Sequence, residues 1–132
     1  MVFEETRMAG DPIPVEVRDF LIRCIASVAQ LEALLLLRTT PQQTWNVPDV
    51  ARRLYVEESE AAKLLRGLVG SELAVSDGSF FRCQPRDCEM LDMVDRLAET
   101  YARSLVPVTR LIHERDIAIR KFADAFKLRK DL

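Results

Sequence analysis

The sequence has 132 residues, 48% hydrophobic and 30% charged, which is typical of one globular domain with its own core. Its formal net charge of −2 excludes the overall basic excess that marks many nucleic-acid-binding proteins. The three cysteines lack paired Cys-x-x-Cys spacing, and the longest apolar run, residues 31–37, contains a charge and is too short to cross a membrane. We therefore expect a cytoplasmic protein with reduced, buried thiols and no membrane contact.

The amino-terminal part predicts a leader followed by two helices. Residues 1–14 contain two prolines and are predicted to form a flexible leader. Apolar residues at helical spacing predict a first helix over 15–26. Ser27 and Gln30 have the form of a capping box, which predicts that a second helix begins at Val28 and runs to Arg38. The nearly all-apolar end of this helix indicates deep burial.

The middle of the sequence has the order helix, turn, helix, hairpin. Asn46 is a good N-cap for a helix over Val47–Leu54, and a tight turn leads into a helix over Glu58–Gly70. Asp77-Gly78 stands between short β-prone runs in residues 73–83 and predicts a two-residue hairpin turn. Together with the preceding helices, this order predicts a winged helix-turn-helix domain over residues 15–85, mainly α-helical with a small β-hairpin.

Residues 86–132 are predicted to form long C-terminal helices. Pro107 is expected to kink them, and residues 113–116 are expected to interrupt them, with Asp116 capping a last helix over Ile117–Arg129. Apolar residues recur at alternating steps of three and four, as in a coiled-coil seam. The seam consists of Leu91, Val94, Ala98, Tyr101, Leu105, Val108 and Ile112. It predicts either packing against the first helix or, as we prefer, a homodimer interface.

The segment from WNVPDVARRL to SFFRC, residues 45–83, resembles winged-helix regulators of the MarR and PadR type, which dimerise through terminal helices. This resemblance implies a homodimeric transcriptional regulator that binds double-stranded DNA. The strings SVAQLEALLLLR and KFADAFKLRKD also resemble a bacterial family of short winged-helix proteins, which implies no activity of its own. The sequence departs from the regulators where Glu57 and Glu58 open the third helix and where the hairpin tip SDGS lacks a base.

The charge of the winged-helix segment gives weaker evidence about its binding partner than the fold pattern does. Residues 45–86 contain six bases and six acids, so phosphate attraction is weak unless the basic C-terminal stretch or a second subunit adds to it. If DNA is bound, the predicted contacts are Arg52, Arg53, Lys63, Arg66, Arg82, Arg129 and Lys130. The alternative is an adaptor that binds no DNA and uses the acidic start of the third helix against a basic protein partner.

Catalytic chemistry finds little support in the sequence. His113 is the single histidine and stands beside charged residues, as a solvated helix-end histidine does. Cys83 and Cys88 have no histidine near them in sequence, and no glycine-rich phosphate loop is present. We expect no enzyme activity, no catalytic residue, no metal and no cofactor.

Overall fold

A computed structural model describes the backbone of residues 12–131 and the side chains of residues 12–125. Most of the predicted leader therefore lies outside the described residues, although Ile13 is buried. The side chains of Arg129 and Lys130 also lie outside the described residues. The described chain forms six helices and one antiparallel hairpin: α1 Val15–Cys24, α2 Val28–Thr39, α3 Val47–Leu54, α4 Glu58–Gly70, β1 Ala74–Ser76, β2 Phe81–Cys83, α5 Cys88–Arg103 and α6 Leu105–Asp131.

The core is arranged around α2, which contacts α3, α4 and β2. Four of its apolar side chains, Leu31, Ala33, Leu34 and Leu37, are completely buried. Their burial follows from the nearly all-apolar sequence of this helix, and the polar side chain of Gln30 is buried with them. On the other side of the molecule, α5 and α6 pack against α1.

Two of the caps predicted from the sequence, at Ser27 and Asn46, are formed. The Ser27 hydroxyl accepts a hydrogen bond from the Gln30 backbone N–H at 3.1 Å, and the Asn46 side chain accepts one from the Asp49 N–H at 2.9 Å. Such caps contribute typically ~1 kcal/mol each, so they fix where α2 and α3 begin. The turn between α3 and α4 is closed by Val56, whose N–H donates to the carbonyl of Ala51 at 3.1 Å.

The hairpin differs from its prediction in register. Ser76 pairs with Phe81, so the loop has four residues, 77–80, and the predicted two-residue turn is wrong. The Asp77 carboxylate accepts hydrogen bonds from the N–H groups of Ser79 and Phe80, which stabilises the longer loop. Trp45 forms a single bridge to Phe81 through two backbone hydrogen bonds of 2.8 Å, which places a third strand of one residue beside β2.

The break between the last two helices is at Ser104, not at residues 113–116. The helix α6 runs without interruption through those residues, and Asp116 pairs with Arg115 and does not cap a helix. Pro107 is the third residue of α6, where a backbone N–H has no partner within the helix. The expected kink is therefore wrong, because the proline lies in the first turn of a new helix, a position that it tolerates.

The residues of the predicted C-terminal seam differ in burial. Val94, Tyr101, Val108 and Ile112 are buried in the chain's own core and so cannot also face a second copy. Ala98 is half-buried, whereas Leu91 and Leu105 remain exposed. The intramolecular interpretation therefore accounts for the centre of the seam, because α1 occupies the face that the heptad spacing creates.

The cysteines are less uniform than expected. Cys83 is buried, and its burial raises the pKa of the thiol. Cys24 is half-buried, and Cys88 is exposed at the start of α5, which corrects the prediction of three buried thiols.

Within residues 12–131, no single helix has the length and apolar character needed to cross a membrane. Helices α1 and α2 have that length and apolar character only when taken together, and they are bent by 106° relative to each other.

Tyr101 predicts a specific pH dependence of stability. Burial, together with the hydrogen bond that its hydroxyl donates to Glu32 at 2.6 Å, raises the pKa of Tyr101 to about 12. Because the ordinary value is about 10, the folded state holds this proton more tightly than the unfolded state as the pH rises through that interval. Stability should therefore fall from about pH 10 upward. Denaturant unfolding at increasing pH should show a steeper fall for the wild type than for Tyr101→Phe, and parallel curves would contradict this expectation.

Candidate nucleic-acid interface

The helix α4 has one buried face and one outward face. Its buried residues, Ala61, Leu64, Leu65 and Leu68, hold it against the core. The opposite face carries Ser59, Lys63 and Arg66, all of which are exposed. These three residues follow one another at steps of four and three, so they lie on a single stripe. Lys63 and Arg66 are among the contacts predicted from the sequence, whereas Ser59, which shares their stripe, was not predicted.

The acids at the start of α4 do not lie on this stripe. With ~3.6 residues per turn, Glu58 and Glu60 lie about 100° to either side of Ser59. Glu57 precedes the helix as its N-cap residue and makes no side-chain capping bond. All three acids lie near the positive end of the helix dipole, where a carboxylate stabilises a helix by typically ~0.3–1 kcal/mol. Their position therefore leaves the outward face open to an anionic partner.

The two arginines of α3 are exposed but held differently. Arg52 forms an ion pair with Asp49, one turn before it in the same helix, so part of its charge is already neutralised. The Arg53 guanidinium lies over the Trp45 ring, 5.3 Å from its centroid. Stacking on tryptophan limits the side chain to few orientations and leaves its charge uncompensated. Of this pair, Arg53 is the better placed to contact a phosphate.

The tip of the hairpin is negatively charged, in contrast to the outward face of α4. The two backbone N–H groups that donate to Asp77 lower the pKa of its carboxyl, so the tip carries a negative charge near neutral pH. Gly78, with φ of +107°, supplies the left-handed conformation that the tip requires. Arg82 is half-buried on β2, opposite Val75. The base predicted on the hairpin is therefore behind the tip and not on it.

Several other arginines are already neutralised. Ion pairs join Arg38 to Asp95, Arg86 to Glu72 and Asp87, Arg96 to Glu16, and Arg115 to Asp116. Lys63, Arg66 and Arg82 make no ion pair within the described part of the chain. Lys63 and Arg66 therefore place uncompensated positive charge on the outward face of α4, and Arg53 adds to it from the neighbouring helix α3.

The described residues form neither a metal-binding group nor a catalytic arrangement around His113. Between residues 12 and 131, no group of three histidine, cysteine or acidic side chains is placed to hold a metal ion. His113 is exposed on α6, with no ion pair to Glu114 or Asp116 among the described residues. No described feature of this helix assembles a nucleophile with a base.

The comparisons with known proteins give the fold. No family model matches the chain, and no curated protein matches it. A solved structure of the multiple antibiotic-resistance repressor MarR from Listeria monocytogenes is 18% identical, with a TM-score of 0.50 over 98% of this chain and 89% of that one. The fold is a winged helix.

A second solved structure agrees with this assignment. A mutant of MepR from S. aureus is 16% identical, with a TM-score of 0.50 over 99% of this chain and 98% of that one. The winged helix with long C-terminal helices that the sequence predicts is therefore confirmed, as is the likeness to MarR-type structures. At these identities the likeness establishes the winged helix and leaves the role of individual side chains to the geometry.

Proposed function

We propose that this winged helix is a cytoplasmic transcriptional regulator that binds double-stranded DNA as a homodimer. The observation that carries the proposal is the outward stripe of α4, where Ser59, Lys63 and Arg66 lie together while the neighbouring acids point to either side. A helix presenting such a stripe fits the major groove. Its likeness to the MarR and MepR structures supports the same class of function.

The side chains of the interface have distinct roles in this proposal. Arg66 and Lys63 contact base edges, for which guanine O6 and N7 are the favoured acceptors, and Ser59 adds a hydroxyl that donates or accepts. Arg53, and more weakly Arg52, contact phosphates and set the register of the helix. Further phosphate contacts come from Arg82 and from the C-terminal Arg129 and Lys130.

A second copy is needed to cover α6. The inward stripe of this helix, formed by Val108, Ile112 and Arg115, continues into Ile119 and Phe122, which remain 58% and 73% exposed. Residues 117–125 of α6 are exposed all round, so packing within the described chain contributes little to the stability of this part of the helix. The dimer interface proposed here is therefore centred on this end of α6, with Leu105 and Leu91 from the predicted seam at its edge.

The dimer predicts a solution mass. Light scattering should give about twice the 15.1 kDa mass of one chain. Ile119→Glu should shift the mass toward one chain, because it places a carboxylate in the apolar contact. Lys121→Glu introduces the same side chain about 200° around the helix and should leave the dimer intact. A wild type that stays at one chain mass at micromolar concentration contradicts the dimer.

Selection from a pool of random DNA duplexes tests the proposed function. Wild type should enrich twofold-symmetric sequences whose half-site centres are about 10 base pairs, or one helical turn, apart. Such symmetry follows from a dimer that presents two α4 helices. A pool that is retained but not enriched would indicate phosphate attraction alone. Failure to retain any duplex would contradict the proposal and favour the adaptor that uses the acidic start of α4.

A further inference from the structure

One peptide group joins α6 to the corner between α1 and α2. The Arg115 guanidinium donates to the carbonyl of Ile25 at 2.5 Å and to that of Ala26 at 2.5 Å. It also reaches the Ile22 carbonyl at 3.4 Å. The Ile22 carbonyl lies in the last turn of α1, and those of Ile25 and Ala26 follow its end, where backbone acceptors lack partners within the helix. An arginine 90 positions away in the sequence therefore caps α1.

The same peptide group continues toward α2. Its N–H, which belongs to Ala26, donates to the side-chain oxygen of Gln30 at 2.8 Å. The Ile25–Ala26 peptide thus receives a charged donor on its oxygen and gives a hydrogen bond from its nitrogen. Such a chain polarises each group in it and strengthens the neighbouring bonds. Gln30 is held at its oxygen by a peptide that Arg115 has already fixed.

The other end of the Gln30 side chain meets α4. Its amide nitrogen donates to the Leu64 carbonyl at 3.4 Å, the longest link in the series. Gln30 is only 5% exposed and is one of the two buried polar side chains in the described core. It lies against Gly67, where an added Cβ would overlap the amide nitrogen of Gln30. A buried amide with partners on both sides fixes a single arrangement of the helices that it joins.

We propose that Gln30 is the positioning residue through which α6 sets the orientation of the DNA-reading helix α4. The path runs from Arg115 through the Ile25–Ala26 peptide and Gln30 to Leu64, one residue after Lys63 and two before Arg66. The buried residues of α2 and α4 other than Gln30 are all apolar, and contacts between apolar side chains lack direction and permit small shifts. This inference rests on the proposed function, because α6 is the helix proposed to meet a second copy.

The first arm of the test needs no DNA. Gln30→Leu keeps the approximate volume of the side chain and removes both of its hydrogen bonds, and Arg115→Gln removes the charged donor. If the path exists, the loss of stability in the double variant will be smaller than the sum of the two single losses, because either change alone interrupts the series. Additive losses overturn the path, whether or not the protein binds DNA.

The second arm measures affinity for duplexes enriched by the wild type. Gln30→Leu should weaken binding by roughly two- to thirtyfold, the range typical of changes that alter coupling between sites. Leu34→Val is the control, since it also costs stability within α2 but leaves the hydrogen-bonded path intact. Both variants are assayed at a temperature at which circular dichroism shows them folded.

The outcomes separate the two proposals. Weaker binding by Gln30→Leu than by Leu34→Val supports the positioning role. Equal binding by the two variants overturns it, because loss of packing then explains the whole effect. A shift in the half-site spacing that Gln30→Leu selects from the random pool would support reorientation of α4 directly. If the wild type retains no duplex, the proposed function fails, whereas the double-variant comparison still decides the path.

Discussion

Replacing Arg115 with alanine is expected to lower the free energy of unfolding by about 3 kcal/mol. Hydrogen bonds to charged groups contribute roughly 1.5–3 kcal/mol each, and Arg115 donates two short ones to the carbonyls of Ile25 and Ala26. Its side chain is only 16% exposed, so water replaces these bonds incompletely. Chemical denaturation monitored by circular dichroism measures the loss.

Two matched variants show whether geometry or charge is responsible. Arg115→Lys keeps the charge but cannot offer the planar fork to two carbonyls, so it should recover only part of the loss. Arg103→Ala removes an exposed arginine at the end of α5 and should change stability by at most about 0.5 kcal/mol. An Arg115→Ala protein as stable as the Arg103→Ala protein would show that the cap does not stabilise the fold.

The second large effect concerns the outward stripe of α4. Lys63→Glu combined with Arg66→Glu should reduce affinity for duplex DNA by about a hundredfold or more, because loss of one base-contacting arginine alone costs roughly 1–3 kcal/mol. Reversal also adds repulsion from phosphates. Both positions are exposed, so the fold should be retained. Fluorescence anisotropy of a labelled duplex gives the affinity.

A control variant makes the same change of charge at positions away from α4. Arg103→Glu with Arg110→Glu changes the net charge by the same amount at exposed positions on α5 and α6. This protein should bind DNA more tightly than the α4 variant. Equal losses in the two proteins would mean that net charge, and not the stripe on α4, controls binding.

The winged module was predictable because its signals are local. Asn46 and Ser27 are caps whose partners lie three residues away, and the apolar spacing of α4 identifies its buried face without any knowledge of its neighbours. The same spacing identified Lys63 and Arg66 on the opposite side. The acids at the start of α4 were harder to interpret, since their direction around the helix matters more than their number.

The C-terminal half was less predictable because its determinants are distant in sequence. Arg115 looks like part of a charged break, yet its partners are the carbonyls of Ile25 and Ala26 at the far end of the chain. Pro107 looks like a kink, yet the helix has already ended at Ser104. Heptad spacing identifies an apolar stripe but not its occupant, and α1 packs against the two helices that carry the stripe.

The salt dependence of duplex binding shows whether the winged helix contacts DNA phosphates. Affinity of the wild type for a mixed-sequence duplex is measured at two salt concentrations, in parallel with Arg52→Gln/Arg53→Gln, which removes the two proposed phosphate contacts of α3. We expect binding at low salt that falls steeply as salt rises, and a shallower dependence for the variant, since each lost phosphate contact reduces the slope by about 0.9. Absence of binding at low salt, or the same slope in both proteins, would contradict this expectation.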